Sequence, residues 1–358
     1  MQIIKATEHN FLALKRGRIV LTDLEGNTLE TGDRMYNFFL SFSGLMSRLL
    51  RTFIHASIKL SNGSILICSK NDIFLLNDQK LRLRKIQTPD RFSKSLTFCE
   101  ININDVQYVL YSDYYSNPSK KQVSLYMAPL DNLDNYEVLH TFNDGEVNHI
   151  HSCVQDPKTG NILVNVGDEG NTVGIWEINI HKREILPILV GSQGYRSVIS
   201  WFYNGEFFLL NDSPTKENYL LKIDFAANEK SVTKLHDIEG PVIYGLFDGR
   251  YTFFSTSVEP NGSESFFQRF SFVYPHKRKS YLYVYDNKTR RLTLINSGFK
   301  DFFNQTLFGF GSFKFPIQET SETLVVNKAS LSSTSNWTDN LIFQSNTHEI
   351  YRLNWLKE

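Results

Sequence analysis

Two histidines separated by one residue, His149 and His151, are the first candidates for chemistry in this sequence. Side chains two positions apart on a β-strand project to the same side, so both imidazoles can reach one point. With Asp168 or Asp113 nearby, they could hold a divalent metal in a two-histidine, one-carboxylate set. They could also form an acid–base pair in which Asp168 fixes one tautomer. A third interpretation is structural, with one imidazole bonded to backbone between neighbouring strands.

Other ionisable and aromatic residues occupy similar positions, at the ends of apolar segments. The candidate catalytic residues are His149, His151, Asp168, Asp113, Asp212 and Glu259. The candidate substrate-binding residues are Arg51, His55, Tyr114, Tyr115, Tyr195, Arg196 and Tyr244. Arginine forks suit a carboxylate or a sulfate on a ligand, and tyrosine rings stack on sugar rings. The alternatives are ion pairs of the arginines with Asp113 or Asp212, and tyrosines that only fill gaps between strands.

Six repeated strand–turn–strand units would position these side chains. The turns are Asn62-Gly63, Asn104-Asp105, Thr159-Gly160, Asn204-Gly205, Asp248-Gly249 and Thr320-Ser321. Asn-Gly and Asp-Gly are strong hairpin signals, because both central residues of the favoured turn need positive φ. The units start near Phe53, Leu96, His149, Ser197, Val242 and Phe310. This spacing is close to the ~40–50 residues of a propeller blade and predicts a six-bladed β-propeller of four-stranded antiparallel blades.

The first thirty residues also alternate and could either complete the last blade or form a seventh. Closing the ring with the N-terminus would remove an exposed sheet edge. We therefore predict one propeller domain over residues 1–358. In a propeller, the first strand of each blade starts at the face to which the second strand returns. The candidate side chains would then surround one central mouth, the kind of concave site where ligands bind.

Two segments interrupt the repeats. Residues 41–52 place apolar side chains at helical spacing and predict a short helix that covers the propeller, or else a partner- or membrane-binding helix. Residues 258–280 lengthen the fifth repeat and carry five aromatic side chains. Long insertions in compact folds often serve as lids or oligomer contacts, although an extended hairpin fits this segment equally well.

Composition excludes some classes of function. Lys+Arg and Asp+Glu both number 38, which argues against a nucleic-acid or anionic-membrane surface. No apolar run approaches the ~20 residues of a membrane span. The first residues lack the pattern of a signal peptide, so we expect a cytoplasmic location. The three cysteines fit reduced core residues.

Several segments carry a resemblance to a known family. In order along the chain they include FIHASIKLSNGSILICSK, YSDYYSNP, NHIHSCVQDPKTGNILVNVGDEGNTVGIW and GSQGYRSV. Over about residues 45–300, the chain resembles the sialidase-like (BNR-repeat-type) propeller proteins of bacteria. The resemblance implies a six-bladed propeller and a carbohydrate context, often a cell-surface polysaccharide. The aspartate box of sialidases is absent, with Gly167-Asp168-Glu169-Gly170 as the nearest approach, and no sialidase catalytic residue is carried over.

Three functions remain open. The first is a carbohydrate-active enzyme that acts on an acidic oligosaccharide or polysaccharide at the central mouth. A hydrolase would use two facing carboxylates, ~5–5.5 Å apart for retention or ~6.5–9.5 Å apart for inversion. A lyase would use His149 or His151 to remove the proton alpha to a uronate carboxylate. The second is a glycan-binding propeller without turnover. The third is a protein-interaction scaffold, or an oligomer, that uses residues 258–280. No cofactor is expected beyond the divalent metal considered for His149, His151 and Asp168.

Overall fold

Antiparallel strands joined by tight turns make up most of the chain. The computed structural model describes residues 1–358 except 42, 91, 215–216, 226–229, 261–270, 272–277, 321–322, 333–347 and 353–358. The strands of the first sheet are β1 (Gln2–Thr7), β2 (Phe11–Lys15), β3 (Arg18–Thr22) and β4 (Thr28–Arg34). Each pairs with the next in antiparallel orientation, so the N-terminal segment forms a four-stranded meander.

Five further sheets follow, each built from four antiparallel strands that are consecutive in sequence. Their strands are β5 (Ile54–Lys59), β6 (Ile65–Ser69), β7 (Asp72–Asn77) and β8 (Arg82–Lys85); β9 (Cys99–Ile103), β10 (Val106–Ser112), β11 (Val123–Pro129) and β12 (Glu137–Phe142); β13 (His149–Gln155), β14 (Ile162–Gly167), β15 (Gly174–Asn179) and β16 (Glu184–Val190); β17 (Ser197–Tyr203), β18 (Glu206–Asn211), β19 (Asn218–Asp224) and β20 (Ser231–Ile238); β21 (Val242–Asp248), β22 (Tyr251–Thr256), β23 (Lys279–Asp286) and β24 (Arg291–Phe299). These sheets correspond to the first five predicted repeats.

The sixth predicted repeat forms a smaller sheet, which is joined to the N-terminal blade. Its described strands are β25 (Ser312–Lys314), β27 (Thr323–Ala329) and β28 (His348–Arg352). Strand β26 (Ile317–Glu319) leaves this sheet and pairs in parallel with β1. The backbone groups of β1 that would form an open edge are thereby hydrogen-bonded, as closure of the ring requires.

The predicted β-propeller of four-stranded antiparallel blades is confirmed. Six sheets contain four consecutive antiparallel strands, and the last sheet has three strands among the described residues. The N-terminal segment, for which two roles were open, forms a blade of its own and does not complete the last one. The predicted six four-stranded blades are confirmed, and the three-stranded sheet of β25, β27 and β28 adjoins the N-terminal blade through β26.

Two of the predicted hairpin turns have positive φ at both central residues, whereas at Asn62-Gly63, Thr159-Gly160 and Asp248-Gly249 only the glycine has it. At Asn104 and Asp105 the φ angles are 49° and 64°, and at Asn204 and Gly205 they are 50° and 79°. Two-residue hairpins need positive φ at both positions, and Asn, Asp and Gly adopt it most readily. Ser321, in the last predicted turn, lies outside the described residues.

In most blades the second strand is the most deeply buried, although in the blade of β9 to β12 the third strand, β11, is more buried than β10. Every residue of β6 and β14 is buried, whereas no residue of the outer strand β8 is. The apolar clusters lie between neighbouring blades, where, for example, Leu110 of β10 packs in one cluster with Ile162 and Val164 of β14. This packing fixes the ends of the second strands at the central mouth.

Three short helices accompany the blades in the described part of the chain: α1 (Phe38–Ser41), α2 (Gly44–Leu49) and α3 (Gln305–Phe308). Helix α2 lies inside the segment predicted to be helical and is capped by Ser43, whose hydroxyl accepts from the Met46 amide. It packs against α3. Most of the predicted insertion, 258–280, lies outside the described residues. Among the residues that are described, no helix has the length and apolar character needed to cross a membrane.

Candidate functional site

Both candidate histidines contact one carboxylate, that of Asp168. His149 and His151 lie at the start of β13, and Asp168 follows directly after its partner strand β14. The His149 Nε2 atom is 2.7 Å from Oδ2 of Asp168, and the His151 Nε2 atom is 3.1 Å from Oδ1. Gly167 makes this approach feasible, because a Cβ there would lie 2.1 Å from Cε1 of His151. Strand register therefore sets the two imidazoles and the carboxylate together.

The two histidines differ in their second nitrogen. The His151 Nδ1 atom is 3.1 Å from the Ser197 carbonyl oxygen, which can only accept. Since Asp168 also accepts at Nε2, both ring nitrogens of His151 face hydrogen-bond acceptors. The His149 Nδ1 atom is buried and has no hydrogen-bond partner within the described part of the chain. His149 can therefore hold its proton on Nε2 and leave Nδ1 as a free acceptor.

Arg196 links Asp168 to the next blade. Its Nη2 atom lies 3.0 Å from Oδ1 of Asp168 and 3.3 Å from Oδ2 of Asp212, which follows β18. Glu259, after β22, accepts a hydrogen bond of 3.0 Å from the Ser257 hydroxyl. The members of this cluster, named here the acid–histidine network, are His149, His151, Asp168, Arg196, Asp212 and Glu259.

The carboxyl groups of the network have opposite pKa shifts. Burial alone would raise the pKa of Asp168, but hydrogen bonds from His149 and His151 and the charge of Arg196 hold it well below its usual range. Burial and the charge of Glu259 raise the pKa of Asp212 to about 7, against the opposing charge of Arg196. Burial also raises the pKa of Glu259. Near neutral pH, Asp168 is ionised beside a partly protonated Asp212.

A cavity of about 130 Å³ occupies another part of the mouth and is lined by basic side chains. Arg51 and His55 come from the blade of β5, Lys94 precedes β9, and Lys314 lies on β25. The cavity that these four residues line is named here the basic cavity. Among the described residues that line it there is no aspartate or glutamate. Its aromatic walls include Phe53, Tyr114, Tyr244, Phe308 and Phe310.

Aromatic rings hold the two lysines in place. The Lys94 Nζ atom lies 5.2 Å from the centroid of the Tyr114 ring. The Lys314 Nζ atom lies 4.6 Å from the centroid of Phe53 and 4.8 Å from that of Tyr244. Ammonium groups are attracted to the faces of aromatic rings, so these contacts orient both lysines without neutralising them.

The positive charges of the basic cavity act on one another. Burial, together with the charges of Arg51 and Lys314, lowers the pKa of Lys94. Burial and the charges of Lys94, Lys314 and Arg51 lower the pKa of His55 well below its usual value. In the described part of the chain, neither lysine has a carboxylate within ion-pair distance. The cavity thus holds an uncompensated positive charge.

Tyr114 separates the two charged regions. Its ring centroid lies 4.8 Å from that of His149 and 6.1 Å from that of His151, while Lys94 lies over the same ring. Burial raises the pKa of its phenol, followed by the charges of Asp168 and Glu259. Tyr114 is therefore a neutral wall between an acidic and a basic half of the mouth.

Three predicted site residues have other contacts. Asp113 accepts a hydrogen bond of 2.8 Å from the Tyr126 phenol, and burial raises its pKa. The Tyr115 phenol donates to the Gln122 carbonyl at 3.0 Å. Tyr195 closes the short 3-10 turn Gln193–Tyr195 before β17. None of these three has a described contact with the acid–histidine network.

Lys94 and Lys314 were not among the predicted site residues. Lys94 stands two residues before the repeat start at Leu96, as Arg51 stands two residues before Phe53. Aligning the repeat starts would therefore have identified it. Lys314 has no counterpart at that position, since it lies within β25 and reaches the cavity only because the ring closes.

The two histidines and Asp168 contact each other directly. Both Nε2 atoms are directed at carboxylate oxygens and do not converge on a shared vacant point. Within the described ranges, no group of three or more His, Cys, Asp or Glu side chains is arranged to hold a metal ion. The metal set of His149, His151 and Asp168 stays a prediction.

Comparison with known proteins identifies the fold. No protein-family model matches the chain, and no curated protein matches it. The solved structure of the extracellular domain of BT4673 from B. thetaiotaomicron, described as a hybrid two component system, has a TM-score of 0.52 and 9% identity over 99% of this chain. A second structure of that domain, described as a one component system, has a TM-score of 0.51 and 9% identity over 98% of this chain.

A structure described as TolB from Agrobacterium tumefaciens has a TM-score of 0.48 and 13% identity, over 69% of this chain and 82% of its own. The chain spans 40% of the length of the BT4673 structures. At such low identity, the BT4673 matches establish a shared fold, that of bacterial β-propeller extracellular domains, and nothing about ligands.

Proposed function

We propose that this propeller binds an acidic saccharide at its central mouth. The observation that carries the proposal is the basic cavity, whose cations have no carboxylate partner among the described residues that line it. Lys94 and Lys314 are half-buried and Arg51 is exposed, and a half-buried charge without a partner loses part of its hydration without compensation. An anionic group on a ligand would supply the missing partner.

The walls and the volume of the cavity favour a saccharide end group over a long polymer. Of the rings that line the cavity, Phe310 is 37% exposed and offers a face against which the apolar face of a sugar can stack. A cavity of about 130 Å³ holds a charged group and part of one sugar ring. The resemblance to sialidase-like propellers points to the same class of ligand.

The test is calorimetric titration with a panel of sialylated, uronate-containing, sulfated and phosphorylated saccharides. At least one should bind, and Lys94→Met and Lys314→Met should each weaken it by about tenfold or more. Lys85→Met is the matched control, since Lys85 is exposed on β8 and pairs with Asp72 at 2.6 Å, away from the mouth. A panel in which no member binds would refute the proposal.

Turnover of the bound saccharide is the second candidate, favoured by the acid–histidine network. Asp168 and Asp212 contact the same Arg196 nitrogen while their pKa values are shifted in opposite directions. Glycoside hydrolysis uses one ionised and one protonated carboxyl group, a division that environment produces in this way. The alternative chemistry is a lyase reaction in which His149 takes the proton alpha to a uronate carboxylate, its Nδ1 being the free acceptor.

Mass spectrometry of the panel after incubation, with and without chelator, separates these outcomes. Fragments whose summed mass gains one water would indicate a hydrolase, and their loss in Asp168→Asn and Asp212→Asn would assign the carboxyls. Fragments with an unsaturated end and no added water would indicate a lyase. An unchanged panel together with measurable binding would indicate a glycan-binding propeller without turnover.

A further inference from the structure

We infer that the anionic group bound in the basic cavity is a phosphate monoester, a tetrahedral dianion, so that the ligand is a small phosphorylated saccharide. The inference rests on the proposed function, because it names the class of acidic saccharide that the same site takes. It follows from the number of uncompensated charges, from their directions and from the neutral polar groups of the lining.

The first step is the charge count. Arg51, Lys94 and Lys314 are cations in a cavity whose described lining contains no carboxylate. A carboxylate or sulfate monoester carries one negative charge and would leave two positive charges uncompensated. A phosphate monoester carries close to two at neutral pH and above. The dianion therefore compensates most of the charge that the cavity holds.

The charged residues next to α2 and α3 do not reduce the excess positive charge of the cavity. Arg48 of α2 donates to Asp301, with Nη1 2.6 Å from Oδ2, and also to the Phe308 carbonyl at 2.8 Å. Lys300, fully buried, bonds the same carboxylate. Asp301 thus stands between two cations and cannot offset a third. Arg51 donates to the Thr306 carbonyl at 3.0 Å, which fixes its fork but leaves its charge unpaired.

The second step is the direction of the charges. Arg51 approaches from the blade of β5, Lys94 from the start of the next blade, and Lys314 from the blade that closes the ring. A planar carboxylate presents two oxygens in one plane, whereas a phosphate monoester presents three oxygens around an axis. Three cations on three blades match the three oxygens, and lysine and arginine are the usual phosphate ligands.

The third step concerns the neutral polar side chains of the cavity. Gln2 exchanges two hydrogen bonds of 2.9 Å with the backbone of Ile54. Asn327 exchanges two of 2.8 Å with the backbone of Ile3. In each side chain, both the amide NH2 group and the amide oxygen already bond to backbone, so neither residue is left to recognise sugar hydroxyls. The cavity therefore recognises chiefly the charge of the ligand, and the sugar itself lies outward of the three cations.

The experiment compares three ligands that differ mainly in the anionic group. Glucose 6-phosphate and glucose 6-sulfate have the same tetrahedral shape and differ by about one charge, and glucuronate carries a planar carboxylate. Calorimetric titration at about pH 8, where the phosphate is dianionic, should show glucose 6-phosphate binding at least about tenfold more tightly than either of the others. Inorganic phosphate should compete with it.

Two variants check that the preference arises in the basic cavity. Lys94→Met and Lys314→Met should each reduce the ratio of phosphate to sulfate affinity, while Lys85→Met should leave the ratio unchanged. Equal or tighter binding of the sulfate or of glucuronate overturns the inference and leaves the proposed function intact. Should no ligand of the larger panel bind, the proposed function fails and this inference with it. If a variant does not fold, the ratio measured on the unaltered chain decides.

Discussion

The acid–histidine network and the basic cavity face one mouth across Tyr114, yet their charges are balanced in different ways. In the network, one carboxylate accepts from two imidazoles and forms an ion pair with a guanidinium, so each charge has a partner within the protein. In the basic cavity, cations face cations and ring faces. A cluster that compensates itself contributes to stability, whereas one that does not is suited to binding an anion.

The largest expected effect comes from breaking the network at its centre. Asp168→Ala would leave His151 and Arg196 without the carboxylate that compensates them in a largely buried site. Removing one partner of a buried ion pair typically costs about 3–5 kcal/mol, and we expect a loss toward the lower end because the Asp168 side chain is 30% exposed. Urea denaturation of the free protein measures this loss.

Asp168→Asn is the matched control for that measurement. It keeps the shape of the side chain and one acceptor for His149, so its cost should be clearly smaller than that of the alanine variant. Equal stability of Asp168→Ala and the unaltered chain would mean that the network does not hold its blades together.

The second effect is a pH dependence of the free energy of unfolding, which arises from the acid–histidine network. The pKa of Asp212 is about 7 in the folded protein, whereas an aspartate in an unfolded chain titrates near 4. Between these values the folded state binds more protons than the unfolded state, so stability falls as pH rises from about 4 to about 7. The loss should be about 2–4 kcal/mol across that window. Asp168, whose pKa is lowered, acts in the opposite sense, and its contribution is lost below about pH 4.

Denaturation at about pH 5 and about pH 7.5 measures the Asp212 contribution. Asp212→Asn should remove most of the difference and leave the part that Glu259, whose pKa is also raised, contributes. A difference between the two pH values that is the same in Asp212→Asn and in the unaltered chain would contradict the raised pKa of Asp212.

The third effect is smaller and opposite in sign. Lys94→Met removes a half-buried cation that is repelled by its neighbours, and the free protein should become more stable by about 0.5–1 kcal/mol at low salt. Lys85→Met, on the exposed outer strand, should change stability less. Destabilisation by Lys94→Met comparable with that of Asp168→Ala would remove the distinction between the two regions.

Local sequence signals are enough to predict the blades and the position of the two histidines of the acid–histidine network. The Asn104-Asp105 and Asn204-Gly205 turns depend only on φ preferences of those residues. His149 and His151 lie together because strand alternation places residues two apart on one side. Such features are encoded within a few residues of sequence, so the pattern alone predicts them.

Features that depend on contacts between distant parts of the chain were not predictable in this way. Asp113 and Asp168 both follow the second strand of a blade. Asp113 nevertheless accepts from Tyr126, whereas Asp168 contacts the histidines of β13. Lys314 reaches the blade of Arg51 only because β26 pairs with β1 and closes the ring. The periodicity of the sequence does not predict which blades become neighbours where the ring closes.

The smallest effect is a proton taken up when the basic cavity receives its anion. The pKa of His55 is held well below its usual value by burial and by Lys94, Lys314 and Arg51, so its imidazole is neutral in the free protein near pH 6. A bound anion offsets those charges and raises the pKa, and less than about one proton should enter per site. Titration with glucose 6-sulfate in two buffers of different ionisation enthalpy measures this uptake, since a sulfate ester does not itself titrate in this range.

His55→Gln should abolish most of the uptake while the anion still binds through Arg51, Lys94 and Lys314. The acid–histidine network provides the contrast, because Asp168→Asn should leave the uptake unchanged if Tyr114 isolates the two halves of the mouth. Uptake that disappears in Asp168→Asn and persists in His55→Gln would place the responding group in the network. The two regions would then form one electrostatic unit, and the positive charge of the basic cavity would have its partner within the protein after all.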